Sequence, residues 1–132
     1  GLGASTGNMI RFEITTTTTS ANKTGYINLT ATGDFSYIVN VQVIKRDTAA
    51  GGANSGFFKA TRGFAQEGET TAAIFAQDTS EGGTLNGTNV TLGVGSDKIS
   101  ILLTKHTSNT DTTWKGIIEV ITDDTVTFTD FG

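Results

Sequence analysis

From Met9 onward the chain alternates apolar and polar residues with the period of an extended backbone. Ile10, Phe12 and Ile14 oppose Arg11, Glu13 and Thr15, and since successive strand side chains point to opposite faces, this predicts a half-buried strand. The threonine run 15–19 prolongs it, because consecutive β-branched residues crowd a helix. In "GYINLTATG", Tyr26, Asn28 and Thr30 share one face and Ile27, Leu29 and Ala31 the other. "FSYIVNVQVIKR" sets Tyr37, Val39, Val41 and Val43 against Ile38, Asn40, Gln42 and Ile44, apolar enough on both sides for a central strand. "GFFKATRGF" sets Phe58, Ala60, Arg62 and Phe64 against Phe57, Lys59, Thr61 and Gly63. "QEGET" then joins it to "TAAIFAQ" as a hairpin, Gly68 tolerating positive φ at its centre.

"NVTLGVG" and "KISILLT" follow as strands around a tight turn at Gly95, Ser96 and Asp97. "TTWKGIIEVIT" sets Trp114, Gly116, Ile118 and Val120 against Lys115, Ile117, Glu119 and Ile121. The tail "DDTVTFTDFG" has enough alternation for a last strand or an extended arm. Eight or nine strands at this spacing, with no helical period, predict an all-β chain: an antiparallel β-sandwich, jelly-roll-like. Residues 1–9 read as a Gly-rich flexible lead-in, 10–122 as the sandwich, and 123–132 as a C-terminal strand or arm. The segments 47–56, 78–88 and 105–111, rich in small and polar residues, read as loops.

Composition agrees with strands and narrows the function. Roughly one residue in five is threonine, and strong helix formers are scarce. The 132 residues suit one domain. A net charge of −4 argues against a nucleic-acid partner, since there is no basic footprint for phosphates. No apolar run reaches the length of a membrane span, so no membrane insertion is expected. With no cysteine, neither a disulfide scaffold nor a thiolate zinc site can form. The chain begins with Gly rather than Met, which suggests a piece processed from a longer parent.

Candidate chemistry is sparse. His106, the one histidine, sits in a polar turn with no nucleophile elbow to accompany it and reads as an exposed turn residue. Asp123 with Asp124, and Glu67 with Glu69, lack the ladder of a calcium loop and read as solvated turn charges. "GVGS" lacks the Gly-Lys of a phosphate loop. No cofactor, metal or catalytic residue is therefore expected. Sequons at Asn22, Asn28, Asn86 and Asn89 would matter in a secreted protein, although a chain this rich in Asn and Thr produces some by chance.

The aromatic and aliphatic residues carry more. Phe57 and Phe58 are adjacent and must point apart, and Ile117 and Ile121 flank Ile118 and Val120 in the same way. One sandwich interior cannot hold both sets. An oligomer interface containing one of Phe57 or Phe58, with Ile117 or Ile121, is the expected outcome. Asn54, Asn86, His106 and Asn109 offer hydrogen-bonding groups in the loops, suited to sugar hydroxyls.

The succession "TTTTT", "SYIVNVQVIKRDTAAGG", "GFFKATRGFAQEGETTAAIFAQ" and "GTNVTLGVGSDKISILLTKHTSNTDTTWKGIIEVI" resembles a β-sandwich domain of tailed-bacteriophage virion proteins, of the tail fibre or appendage type. The features that carry it are the threonine run, Ile44-Lys45-Arg46, Phe58, Gly68-Glu69-Thr70, and Thr112 through Trp114, over roughly residues 10–122. The tail beyond the Trp strand departs from the pattern. That resemblance implies a virion location, a homotrimer, other virion proteins as partners, and loops able to meet a host surface glycan or protein. Two rivals differ in class: a secreted filament subunit assembling by strand complementation, and a small carbohydrate-active enzyme, which lacks an acid/base constellation.

Overall fold

The computed structural model describes residues 8–48 and 54–132 and contains ten strands, with no helix among the described residues. They are β1 (Asn8–Thr18), β2 (Lys23–Asn28), β3 (Phe35–Asp47), β4 (Asn54–Glu67), β5 (Thr70–Ala73), β6 (Asp78–Gly83), β7 (Asn89–Gly95), β8 (Lys98–Thr104), β9 (Thr112–Thr122) and β10 (Thr127–Thr129). A six-stranded sheet runs β1-β9-β3-β4, with β5 and β6 pairing separate stretches of β4's far edge. A four-stranded sheet runs β10-β2-β8-β7. All pairs are antiparallel, so the chain is an antiparallel β-sandwich.

Parity decides what lies between the sheets. Tyr37, Val39, Val41 and Val43 of β3 are buried, as are Phe58, Ala60 and Phe64 of β4 and Trp114, Ile118 and Val120 of β9. They meet Ile27, Val90, Leu92, Ile99, Ile101 and Leu103 of the smaller sheet. Phe58 stacks on Trp114 with centroids 6.0 Å apart, and Phe12 on Phe128 at 5.1 Å. Trp114 brings a polar atom into this core and satisfies it: Nε1 donates to Thr18 Oγ1 at 2.9 Å, both side chains buried. Trp114→Phe is expected to lower stability by about 2 kcal/mol, from the orphaned hydroxyl and lost volume, in a urea denaturation.

Three expectations change. The strand count rises to ten because β6, expected as part of a loop, pairs with β4 from Gly56 to Thr61 by backbone alone, having no apolar side chain to announce it. The loop 47–56 is shorter than expected: Asp47 ends β3 and pairs with Asn54 of β4, while 49–53 lie outside the described residues. The tail, expected as a strand or an arm, takes the form of a strand. β10 pairs with β2, and Val126 and Phe131 join the core. The lead-in falls mostly outside the described residues, but Asn8 and Met9 already belong to β1.

Candidate functional site

The outward face of the larger sheet is unusually apolar. Register aligns Met9, Ile121, Ile38 and Gly63 in one row across β1, β9, β3 and β4, with Phe75 lying over Gly63. Another row aligns Lys115, Ile44, Phe57 and Gly82, where the Phe57 ring comes within 2.6 Å of the position a Gly82 Cβ would take. Between them runs a polar row, Arg11, Glu119, Asn40, Thr61 and Asp78. Arg11 pairs with Glu119 at 3.2 Å, and Thr61 Oγ1 donates to Asn40 Oδ1 at 2.8 Å. Ile44 is 61% exposed and Phe57 50%, at a shallow groove of about 630 Å³ that Lys59, Lys115 and Ile117 also line. The outward face of the smaller sheet is chiefly Thr, Ser and Asn, as where Asn28 Nδ2 donates to Thr129 Oγ1 at 2.9 Å.

Of the four residues expected at an interface, three lie on this outward face: Phe57, Ile117 and Ile121. Phe58 does not. It is wholly buried, because its parity matches Ala60 and Phe64, and it belongs to the core. Ile38 and Ile44, which the strand alternation puts on Phe57's face, are exposed there too, and Met9, which the alternation did not single out, joins them.

The described parts of the three loop regions gather at one end of the sandwich. Thr48 N–H donates to Asp111 O at 2.9 Å, Thr107 N–H to Asn86 O at 3.0 Å, and Thr84 N–H to Ser55 O at 2.9 Å. Beneath them lies Asp47, fully enclosed. Its Oδ2 accepts from Lys45 Nζ at 2.9 Å and Asn86 Nδ2 at 3.1 Å, and its Oδ1 from Thr112 Oγ1 at 3.0 Å. His106 is not an exposed turn residue: its side chain is 13% exposed, Nδ1 accepts from Ser108 N–H at 2.9 Å, and Nε2 lies 3.7 Å from Asp47 Oδ2. Asn86 and His106 thus both face this carboxylate. Asn54 is half-buried in β4, and Asn109, in a left-handed turn at φ 56, is exposed. Lys45 and Asp47 share the inward parity of Tyr37 and Val43, so the alternation itself marks them as buried.

At the opposite end Asp124, expected to be solvated, is buried. It accepts from Thr30 N–H at 3.0 Å, Thr30 Oγ1 at 2.5 Å, Tyr37 OH at 2.6 Å and Thr125 N–H at 2.7 Å. Burial pushes its carboxyl up, but the bonds from Thr30, Tyr37 and Thr125 outweigh that and hold it below the usual carboxylate range. Asp47 is likewise held low: burial opposes, while bonds from Lys45, Asn86 and Thr112 and the Lys45 charge prevail. Burial first, and then the bond to Asp124, pushes the Tyr37 hydroxyl upward, so it stays a donor. A depressed folded carboxyl stabilises above its unfolded value and loses that contribution as pH falls through the folded one. The melting temperature should therefore hold from neutral pH down to about pH 5 and fall steeply below about pH 4. Asp124→Asn should flatten that acid limb in a calorimetric pH series.

Among the described residues no three His, Asp or Glu side chains converge as a metal cluster. No family model and no curated protein matches the sequence. Among solved structures the chain is similar to the tailspike protein of Acinetobacter phage vB_ApiP_P1, at 16% identity and a TM-score of 0.38, over 98% of this chain and 24% of that one. It is also similar to the tailspike protein of Acinetobacter baumannii phage AM24, at 9% identity and a TM-score of 0.39, over 90% of this chain and 27% of that one. The chain thus spans about a quarter of the length of the tailspikes it matches. The likeness is coarse and carries no residue-by-residue correspondence.

Proposed function

We propose that the chain is a non-enzymatic structural module of a phage virion appendage, assembling with two further copies of itself through the outward face of the six-stranded sheet. The observation that carries the assembly is the pair of apolar rows on that face, with Met9, Ile38, Ile44, Phe57 and Ile121 all exposed. Apolar area of this kind, rimmed and divided by charges, is what protein interfaces bury. Self-association suits the charges, because Lys59 and Lys115 beside Phe57, and Glu119 and Asp78 in the polar row, let copies meet with opposite signs in reach. A closed trimer places each such face toward a common axis and leaves the Asp47 end, with its loops, free for a host glycan or protein. The virion setting and the number three rest on the sequence resemblance given above.

Strand complementation between copies has less support, since β1 pairs with β9 and β10 with β2 inside one chain. Light scattering on the double variant Ile44→Lys, Phe57→Ser tests the reading. It should be monomeric with an unchanged circular-dichroism spectrum, whereas Leu102→Ser on the other sheet should assemble normally. An Ile44→Lys, Phe57→Ser protein that still assembles would remove this face from the account.

A further inference from the structure

Lys45 and Asp47 leave β3 on its inward face, and both side chains are fully enclosed. An ammonium offers three N–H donors, yet among the described residues Lys45 Nζ makes one hydrogen bond, to Asp47 Oδ2 at 2.9 Å. An ion pair buried with donors unmet recovers little of its desolvation cost. As an explanation of why a lysine stands here, a salt bridge is therefore incomplete. Asn86, from the β6–β7 connection, supplies the remaining part: its Nδ2 donates to the same Oδ2 at 3.1 Å, from a backbone held at φ 52. One carboxylate oxygen thus holds an amine nitrogen and a carboxamide nitrogen side by side. Thr112 fixes the other oxygen at 3.0 Å. Gly56 keeps the space for the lysine stem, since a Cβ there would fall 2.9 Å from Lys45 Cε.

We propose that Lys45, Asp47 and Asn86 form a self-generated cross-link, an amide between Lys45 Nζ and the side-chain carbonyl carbon of Asn86. Asp47 takes a proton from the ammonium, and the freed lone pair adds to Asn86 Cγ, making the C–N bond and moving the carbonyl pair onto Oδ1. When that pair returns, the bond from Cγ to Nδ2 breaks. Nδ2 faces the carboxyl that protonates it, so it departs as ammonia. Two protons pass in all from Nζ to Nδ2 by way of Asp47. One ammonium and one carboxamide become one secondary amide and one ammonium ion, with no oxidant, metal or cofactor. Burial of the amine beside a proton-transferring carboxylate is the arrangement that makes such a nucleophile competent. The bond would tie β3 to the β6–β7 connection in a chain with no cysteine to do so.

The Asn86-Gly87 peptide offers one competing reaction, attack of the Gly87 nitrogen on the same Cγ to give a succinimide, which also expels ammonia. The test is the intact mass of the purified chain under denaturing conditions, followed by peptide mapping. The expected mass is one ammonia, about 17 Da, below that of the sequence, with a peptide joining the segments around Lys45 and Asn86 that survives mild alkali and hydroxylamine. Lys45→Arg, Asp47→Asn and Asn86→Ala should each return to the full mass of their sequence. A wild-type chain at full mass overturns the proposal, as does an ammonia loss that alkali converts into a gain of water, the succinimide opening to aspartate or isoaspartate, with no joined peptide. The wild-type reading decides even if a variant fails to fold.

Discussion

Phe58→Ala is expected to destabilise the domain by about 3–5 kcal/mol, while Phe57→Ala, one residue away, should change the dissociated chain by less than about 1 kcal/mol. The two rings face opposite ways from one strand. Phe58 is enclosed between the sheets and stacks on Trp114 at 6.0 Å, so truncating it removes packing on all sides and leaves a cavity the rigid sheets cannot close. Phe57 is 50% exposed and covers Gly82 on the outward face, where water replaces what alanine gives up. Assembly should respond in the reverse order, Phe57→Ala weakening it and Phe58→Ala acting on folding alone. Urea denaturation at low concentration, with light scattering at high concentration, reads both. Equal losses of folding stability from the two variants would show that the assigned parity of β4 is wrong.

Asp124→Ala should be as severe, on the order of 4 kcal/mol, through a different mechanism. The carboxylate is buried and gathers donors from three places in the sequence: Thr30 after β2, Tyr37 on β3 and Thr125 beside it. Its removal takes the acceptor from two backbone N–H groups and the Thr30 hydroxyl, each costing about 1–3 kcal/mol where water or neighbours cannot compensate, while the Tyr37 hydroxyl keeps Gln66 Oε1 at 2.9 Å. Because Thr30 lies in the connection that follows β2 of the smaller sheet and Tyr37 in β3 of the larger one, the loss also loosens the end of the sandwich where β2 leads into β3. Tyr37→Phe should cost less, about 1–2 kcal/mol, as the hydroxyl's contacts with Asp124 and Gln66 go and the ring stays. Thermal denaturation of both at neutral pH checks the order, and a mild Asp124→Ala would mean that its donors find water.

The strand pattern was legible wherever one face was consistently apolar. β3 is the clearest case, since Tyr37 through Val43 fix its inward face and leave Ile38 and Ile44 outside. β6 could not be read this way because Asp78–Gly83 holds no apolar residue and owes its place to the backbone edge of β4. The tail was ambiguous for a related reason: Val126 and Phe131 show apolar character but not which sheet receives them. Buried polar groups were the least legible. Lys45 and Asp47 have inward parity, yet their partner Asn86 is brought to them by the packing of a loop, and Asp124 meets Thr30 from the other end of the chain. Composition made His106 and Asp124 look solvated; long-range contacts put them against buried groups.

Sedimentation equilibrium of the unmodified chain at micromolar concentration tests the central claim, self-assembly through the outward face, most directly. The account predicts a single species at three times the chain mass, in which hydrogen exchange is slowed along the outward-facing β9 and β3. A folded species at the mass of one chain throughout that range would contradict it.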